Sequence, residues 1–457
     1  MIESVSLIIH NAIVVTVDGE HRVIDRDGAV AVNDNRIVAV GSNEEVLAQY
    51  TADQMIDAKG KVLMPGLVDL HAHSALTRGL ADDLELGPFL ATAYTEIMLM
   101  EESDFNEAAR ITYLEAIKSG TTCINEMAVA SVTESKVKIA EKMGIRTTIT
   151  GSWMMEEDHV PETLGSGDAK IEAAIYAMEK FNGAADDRVR IAFGIEGVCC
   201  ISPEHLRTIK ELSDKYNAPV HVHVNETDDD RELARKRHGG RDSVTVLYEE
   251  GLLNERCIAA HCVQMRDDEI EMFVKTGAHI SHNPLSNSKC GMGVAPVPKM
   301  LERGINIGIG HDMSFCSNSR DIFEAMKFTA ALHKAHNRDA SVMPAQTVLE
   351  MATINGARAL GLEDDIGSIE VGKKADMLLI NLRIPALVPT LTSVTFNNVV
   401  SNLVYSMQSE AVDTVIIDGK LVMQGRRLLT DDEDEIMADA DRRARDMVAR
   451  MEQKFAS

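Results

Sequence analysis

The chain has 457 residues, 45% of them apolar and 26% charged, enough for a large core and free of low-complexity tracts. Forty-six Lys and Arg face 72 Asp and Glu, and the formal charge of -26 excludes a protein built to hold nucleic acid or an anionic membrane surface. Seven cysteines without metal-knuckle spacing argue against a disulfide framework and for a reducing cytoplasm. No apolar run approaches the roughly 18 residues of a spanning helix, so the chain is expected to be neither secreted nor anchored.

In chain order, residues 5 to 63 alternate β-branched runs with turn signals, as in LIIHNAIVVTVDG and AVAVNDNRIVAVG, where Asp34-Asn35 supplies a hairpin turn. The same texture returns in KKADMLLINL and DTVIIDGKLVMQGRRLL. The two pieces, 1–63 and 366–430, are read as one small β-sandwich split by an inserted domain, 64–365. Within the insert, LVDLHAH, TTCINEM, IRTTIT, VRIAFGIE, APVHVHVNE, RCIAAHC, GAHISHN and INIGIGHD are strand-like segments separated by helical patterns. Eight such units argue a parallel (β/α)8 barrel of the α/β class, with its chemistry at the carboxyl ends of the strands. Residues 431–457 read as an amphipathic helix opened by a Thr430/Glu433 capping box.

Polar side chains collect at those strand ends. His71 and His73 lie two apart on the first segment and so share one face, a spacing that suits one metal ion. His221 and His223 repeat the pattern on the fifth, with Glu226 beyond; His221 is read as a buried histidine of a lower layer. His261, His282 and Asp312 end the sixth, seventh and eighth segments. Three imidazoles and a carboxylate suit zinc, with iron(II) the alternative, and a bound dication lowers the pKa of water from about 16 toward about 7. Glu226, His261 and Asp312 are the groups placed to move protons. Glu196, Trp153 and His282 are candidates for contacting substrate, Trp153 by stacking on a flat ring. His311 is expected to point away from the metal, by strand alternation.

VLMPGLVDLHAH, HVHVNET, AAHC, SHNPLSNSKCGMGVAPVPKMLERGINIGIGHD and LEMATINGARALGLEDDIGSIEVGKKADMLLINL resemble the mononuclear branch of the amidohydrolase superfamily over nearly the whole chain. The resemblance implies one divalent ion held by His71, His73, His223 and Asp312, with His261 beside it and Glu226 carrying a proton to a ring nitrogen. The fourth segment lacks the lysine that bridges two metals in dihydropyrimidinase-like members, which favours one ion; Glu126 and Glu196, ending the second and fourth segments, are placed to carry a second instead. The implied reaction is hydrolytic deamination of an amino-substituted triazine, pyrimidine or purine ring. Dechlorination of a chloro-triazine and deamination of a methylthioadenosine- or adenosylhomocysteine-type nucleoside are the alternatives, and a non-catalytic scaffold is the reading from another class. Two positions depart from the nucleoside deaminases: Glu196 stands where they carry a histidine, and their ribose-gripping glutamate falls near Met98 instead of Glu96. The implied partner is a small heterocycle, and relatives are dimers or larger homo-oligomers.

Overall fold

The structure, a computed structural model, describes residues 2–84, 86–129, 131–156 and 166–456. The first strands are β1 (Glu3–Val15), β2 (Val23–Asn33), β3 (Arg36–Ser42), β4 (Tyr50–Asp57) and β5 (Lys61–Pro65). Asp34 and Asn35 form the two-residue turn between β2 and β3, pairing Asn33 with Arg36, and Asp34 takes the positive φ of 53° that such a turn demands. The chain then enters the barrel: β6 (Leu67–His73), β7 (Thr121–Glu126), β8 (Arg146–Met154), β9 (Val189–Ile195), β10 (Val220–Val224), β11 (Cys257–His261), β12 (His279–His282), β13 (Ile307–Ile309) and β14 (Asp312–Met313). It returns to the first sheet with β15 (Met377–Asn381), β16 (Val412–Ile417), β17 (Lys420–Gln424) and β18 (Arg427–Leu428).

Strands from both ends of the chain form one mixed sheet in the order β18-β17-β16-β15-β5-β1-β2-β3, with β4 also paired to β1. Strand β1 has 13 residues and serves two partners: its first part runs parallel to β4 and its last part to β5. The sheet closes over an apolar core in which Leu7, Ile9 and Val14 meet Met377, Leu379 and Ile416 from the other end of the sequence.

The second sheet runs β13-β12-β11-β10-β9-β8-β7-β6-β14, parallel throughout. Strands β13 and β14 are the two halves of the eighth barrel strand. The first pairs with β12 and the second with β6, which closes the barrel. At the break stands Gly310, where a Cβ would lie 2.8 Å from His71 Cβ and collide with Ser281 and Asn283. A side chain there would push Asp312 off the rim. On β6, Val68 and Leu70 pack outward against Ala357 and Leu360, so the alternate residues Asp69, His71 and His73 point into the barrel.

The sheets are pinned together by Arg146, 2% exposed, whose guanidinium donates to Asp376 at 2.8 and 3.1 Å and to Asp418 at 3.3 Å. Burial disfavours its charge, but the two carboxylates more than compensate. The final helix spans Glu433–Ala456 and buries Ile436, Ala440, Met447 and Met451. Its start differs from the expected capping box. Thr430 donates instead to the Met143 carbonyl, Glu433 accepts from Leu428 N and Lys118, and Asp432 caps the amides of Asp434 and Glu435 at 3.0 and 3.1 Å. Packing against the helix Glu102–Lys118 and the loop after Met143 claims the two box residues first. Among the described residues no helix is long and apolar enough to cross a membrane.

Candidate metal centre and active site

Four donors meet at the barrel mouth. His223 Nε2 lies 3.2 Å from His71 Nε2 and 3.3 Å from His73 Nε2, while Asp312 Oδ1 lies 3.4 Å from His71 Nε2 and 3.6 Å from His73 Nε2. A tetrahedral ion with ligand bonds of about 2.0–2.1 Å has edges of about 3.4 Å. Four of the six edges lie within about 0.2 Å of that length. The protons are already disposed for ligation, because His73 Nδ1 donates to the Met127 carbonyl at 2.8 Å and His223 Nδ1 to the Glu196 carbonyl. Their Nε2 lone pairs are thereby turned toward each other, an arrangement that calls for a cation between them.

For two of the three imidazoles the electrostatics agree. Burial pushes His71 well below its ordinary pKa and His73 down to about 4, leaving both neutral, as ligands must be. His223 is the exception: burial opposes its charge, but the Glu196 carboxylate 3.3 Å from Nδ1 outweighs it and lifts the imidazole to about 10, so that without an ion His223 holds a proton that a ligated metal replaces. Asp312 resists its own burial and stays ionised, well below the usual carboxylate range, because His71 stabilises its anion. The acidic cluster thus demands positive charge at this point. The residues present fit a divalent ion.

Around this core, His261 Nε2 lies 3.3 Å from Glu226 Oε1 and 3.9 Å from Asp312 Oδ2. Its Nδ1 donates to Asn287 at 2.8 Å, which fixes the tautomer and aims Nε2 at the two carboxylates. Ser286, one residue before Asn287, donates to Asp312 Oδ2 at 2.6 Å. His261 and Asp312 both hold left-handed backbone, φ 73° and 71°, a conformation costing on the order of 1 kcal/mol or more that recurs at functional sites.

Several groups lie elsewhere than the donors. His221 sits one layer down, with Nε2 2.9 Å from His71 Nδ1 and Nδ1 against Asn125. His311 turns away, to Ser317 at 2.9 Å. Glu126 is consumed by Lys136 at 2.6 Å, Tyr113 at 2.7 Å and Ser74, well outside the donor cluster. His282 does not reach the pocket; it faces His333 Nε2 at 3.0 Å behind the sheet. Glu196 and Trp153 do line the pocket, and the indole N–H donates to the Glu196 carboxylate.

Three contributors went unread in the sequence. Tyr94 donates to Glu196 at 2.8 Å from the helix Leu86–Leu99, whose Phe89, Ala93 and Ile97 at spacing i, i+4, i+8 were a legible apolar stripe. Asp69, two residues before His71 and on its face, accepts from the amides of His71 and His311; burial pushes its carboxyl up to about 6. Arg320, wholly buried, donates to the carbonyls of His73 and Asp312 and so ties the first barrel strand to the last. No pattern announced it.

Residues 62–422 match the amidohydrolase family. The chain belongs to that family. It is 37% identical over 451 residues to a 5'-deoxyadenosine deaminase of Methanosarcina mazei, covering 97% of this chain and 99% of that one. A 5-methylthioadenosine/S-adenosylhomocysteine deaminase of Desulforudis audaxviator is 35% identical over 445 residues, with the same coverage. Among solved structures, an adenosine deaminase from Xanthomonas campestris with bound zinc superposes with a TM-score of 0.91 at 28% identity, covering 99% of this chain and 100% of that one. The expectation of an amidohydrolase-family enzyme on a barrel with a second domain from both chain ends holds, and deamination is the chemistry in all three relatives' names.

Proposed function

We propose that the protein is a metal-dependent aminohydrolase that replaces the amino group of a nitrogen heterocycle with a carbonyl oxygen, releasing ammonia, with an adenine-type ring as the first candidate. His71, His73, His223 and Asp312 would hold one divalent ion, zinc as in the Xanthomonas enzyme. Such an ion, when bound, brings the pKa of water near neutrality. Asp312 and His261, 3.9 Å apart, take up the proton that water loses on attacking the ring carbon. Glu226 delivers a proton to the adjacent ring nitrogen, which lets that carbon accept the new oxygen while the C–N π-bond becomes a lone pair. Collapse expels ammonia, carrying the proton that Asp312 relays to it, and the proton of the new hydroxyl returns to Glu226 as the ring carbonyl forms.

The observation that carries this reading is the approach of His261 Nε2 to both Glu226 and Asp312 beside the histidine donors. Metal binding alone needs neither Glu226 nor the Asn287-fixed tautomer of His261. Three further points belong to the proposal: one ion rather than two, since Glu126 is spent on Lys136; a reducing cytoplasm, in keeping with seven free cysteines; and a homo-oligomer. Zinc-loaded protein should release ammonia from an adenine-type substrate and lose the activity on chelation, with chloride release from a chloro-triazine as the control. Inertness toward every amino-heterocycle tried would sink the proposal.

A further inference from the structure

Resting on that reading, the pocket says what the ring can carry. We infer that it selects an amino-heterocycle whose ring substituent is apolar, and disfavours a hydroxylated sugar at that place. The helix Leu86–Leu99 lays Phe89, Leu90, Tyr94 and Ile97 along the wall, and Met292 and Met313 face them from the barrel side. Among the described residues no serine, threonine, asparagine, glutamine, lysine or arginine lines the cavity.

The polar groups that are present are already committed. The Tyr94 hydroxyl and the Trp153 indole N–H both donate to Glu196, whose carboxylate also faces His223 at 3.3 Å. The remaining polar lining consists of the metal donors and the proton carriers Glu226 and His261. Glu96, on the same helix as the wall, turns from the pocket: it accepts from the amides of Leu76 and Thr77 at 3.2 and 3.3 Å and from the Thr77 hydroxyl. A sugar hydroxyl seated against this wall would give up water and gain no partner, at a cost of roughly tenfold in affinity per group. An alkyl group there loses nothing and covers apolar surface.

The test compares kcat/KM for ammonia release by the zinc-loaded full chain on 9-butyladenine, 5'-deoxyadenosine and adenosine. The expected order is 9-butyladenine first, 5'-deoxyadenosine next and adenosine last, with about a thousandfold between the extremes, roughly tenfold for each of adenosine's three unpaired hydroxyls. Adenosine or 5'-deoxyadenosine equal to or better than 9-butyladenine overturns the inference and leaves deamination standing. Silence on all three removes deamination of the adenine ring and this inference with it. Ile97→Gln supplies a second arm by adding an amide to the wall. The inference expects KM for 9-butyladenine to rise about tenfold with kcat nearly kept and adenosine unharmed; an equal loss on both substrates counts against it.

Discussion

Glu196 grips His223 with two oxygens at once: its backbone carbonyl accepts from Nδ1, and its carboxylate stands 3.3 Å from the same atom. The residue that the sequence offered as a substrate contact is built into the support of an imidazole. Partners of this kind orient a ligating histidine and raise its basicity. Glu196→Gln should therefore lower zinc affinity about 10- to 100-fold, read by competition with a chromophoric chelator, while the circular dichroism spectrum stays unchanged. Unaltered affinity would remove Glu196 from the support of the metal centre.

Glu226 touches none of the four donors closely enough to hold them together, yet lies 3.3 Å from His261 Nε2. Glu226→Gln keeps the size and loses the ability to carry a proton. Metal content should equal that of the unaltered protein, and kcat should fall by about 10²–10⁴. Retention of full turnover would take Glu226 out of the chemistry.

Arg320 donates to two carbonyls on opposite sides of the barrel closure and stands 3.7 Å from Asp69. Arg320→Met would leave those acceptors buried and unpaired, a loss of about 3–5 kcal/mol. A thermal melt of the metal-loaded variant should show a clearly lower midpoint, and its zinc should leave faster, since His73 and Asp312 both lose their backbone anchor. A midpoint within error of the wild type would contradict the clamp.

His279, on β12 away from the metal donors, bears on stability against pH. Burial depresses its pKa from 6.5 to about 4, only partly offset by a hydrogen bond to the Glu255 backbone. The unfolded chain then binds more protons than the folded one between those two values. Its contribution is complete above pH 6.5 and is lost as the pH falls toward 4, on the order of 3 kcal/mol in all. His279→Gln should flatten the unfolding free energy measured across that window relative to wild type; parallel curves would show that His279 does not titrate there.

Much of the site was legible because a strand places every second residue on one face, so LVDLHAH and HVHVNET show their inward histidines in one dimension. Helices and loops offered less. His282 ends its strand as His261 does, yet faces His333, because the helix Ile322–Asn337 packs behind it. Thr430 and Glu433 have cap spacing, but stronger partners from other elements claimed both.

The sequence by itself determined the barrel, the sheet shared by both chain ends, and the histidines and acids at the strand tips, since local alternation and strand count fix these before any packing. Tertiary structure alone decided that Glu196 supports His223, that Arg320 closes the barrel and that Tyr94 and Ile97 wall the pocket. Those roles depend on which distant surfaces meet. A side chain's partner across hundreds of residues is set by the close packing of the whole, which no short-range pattern encodes.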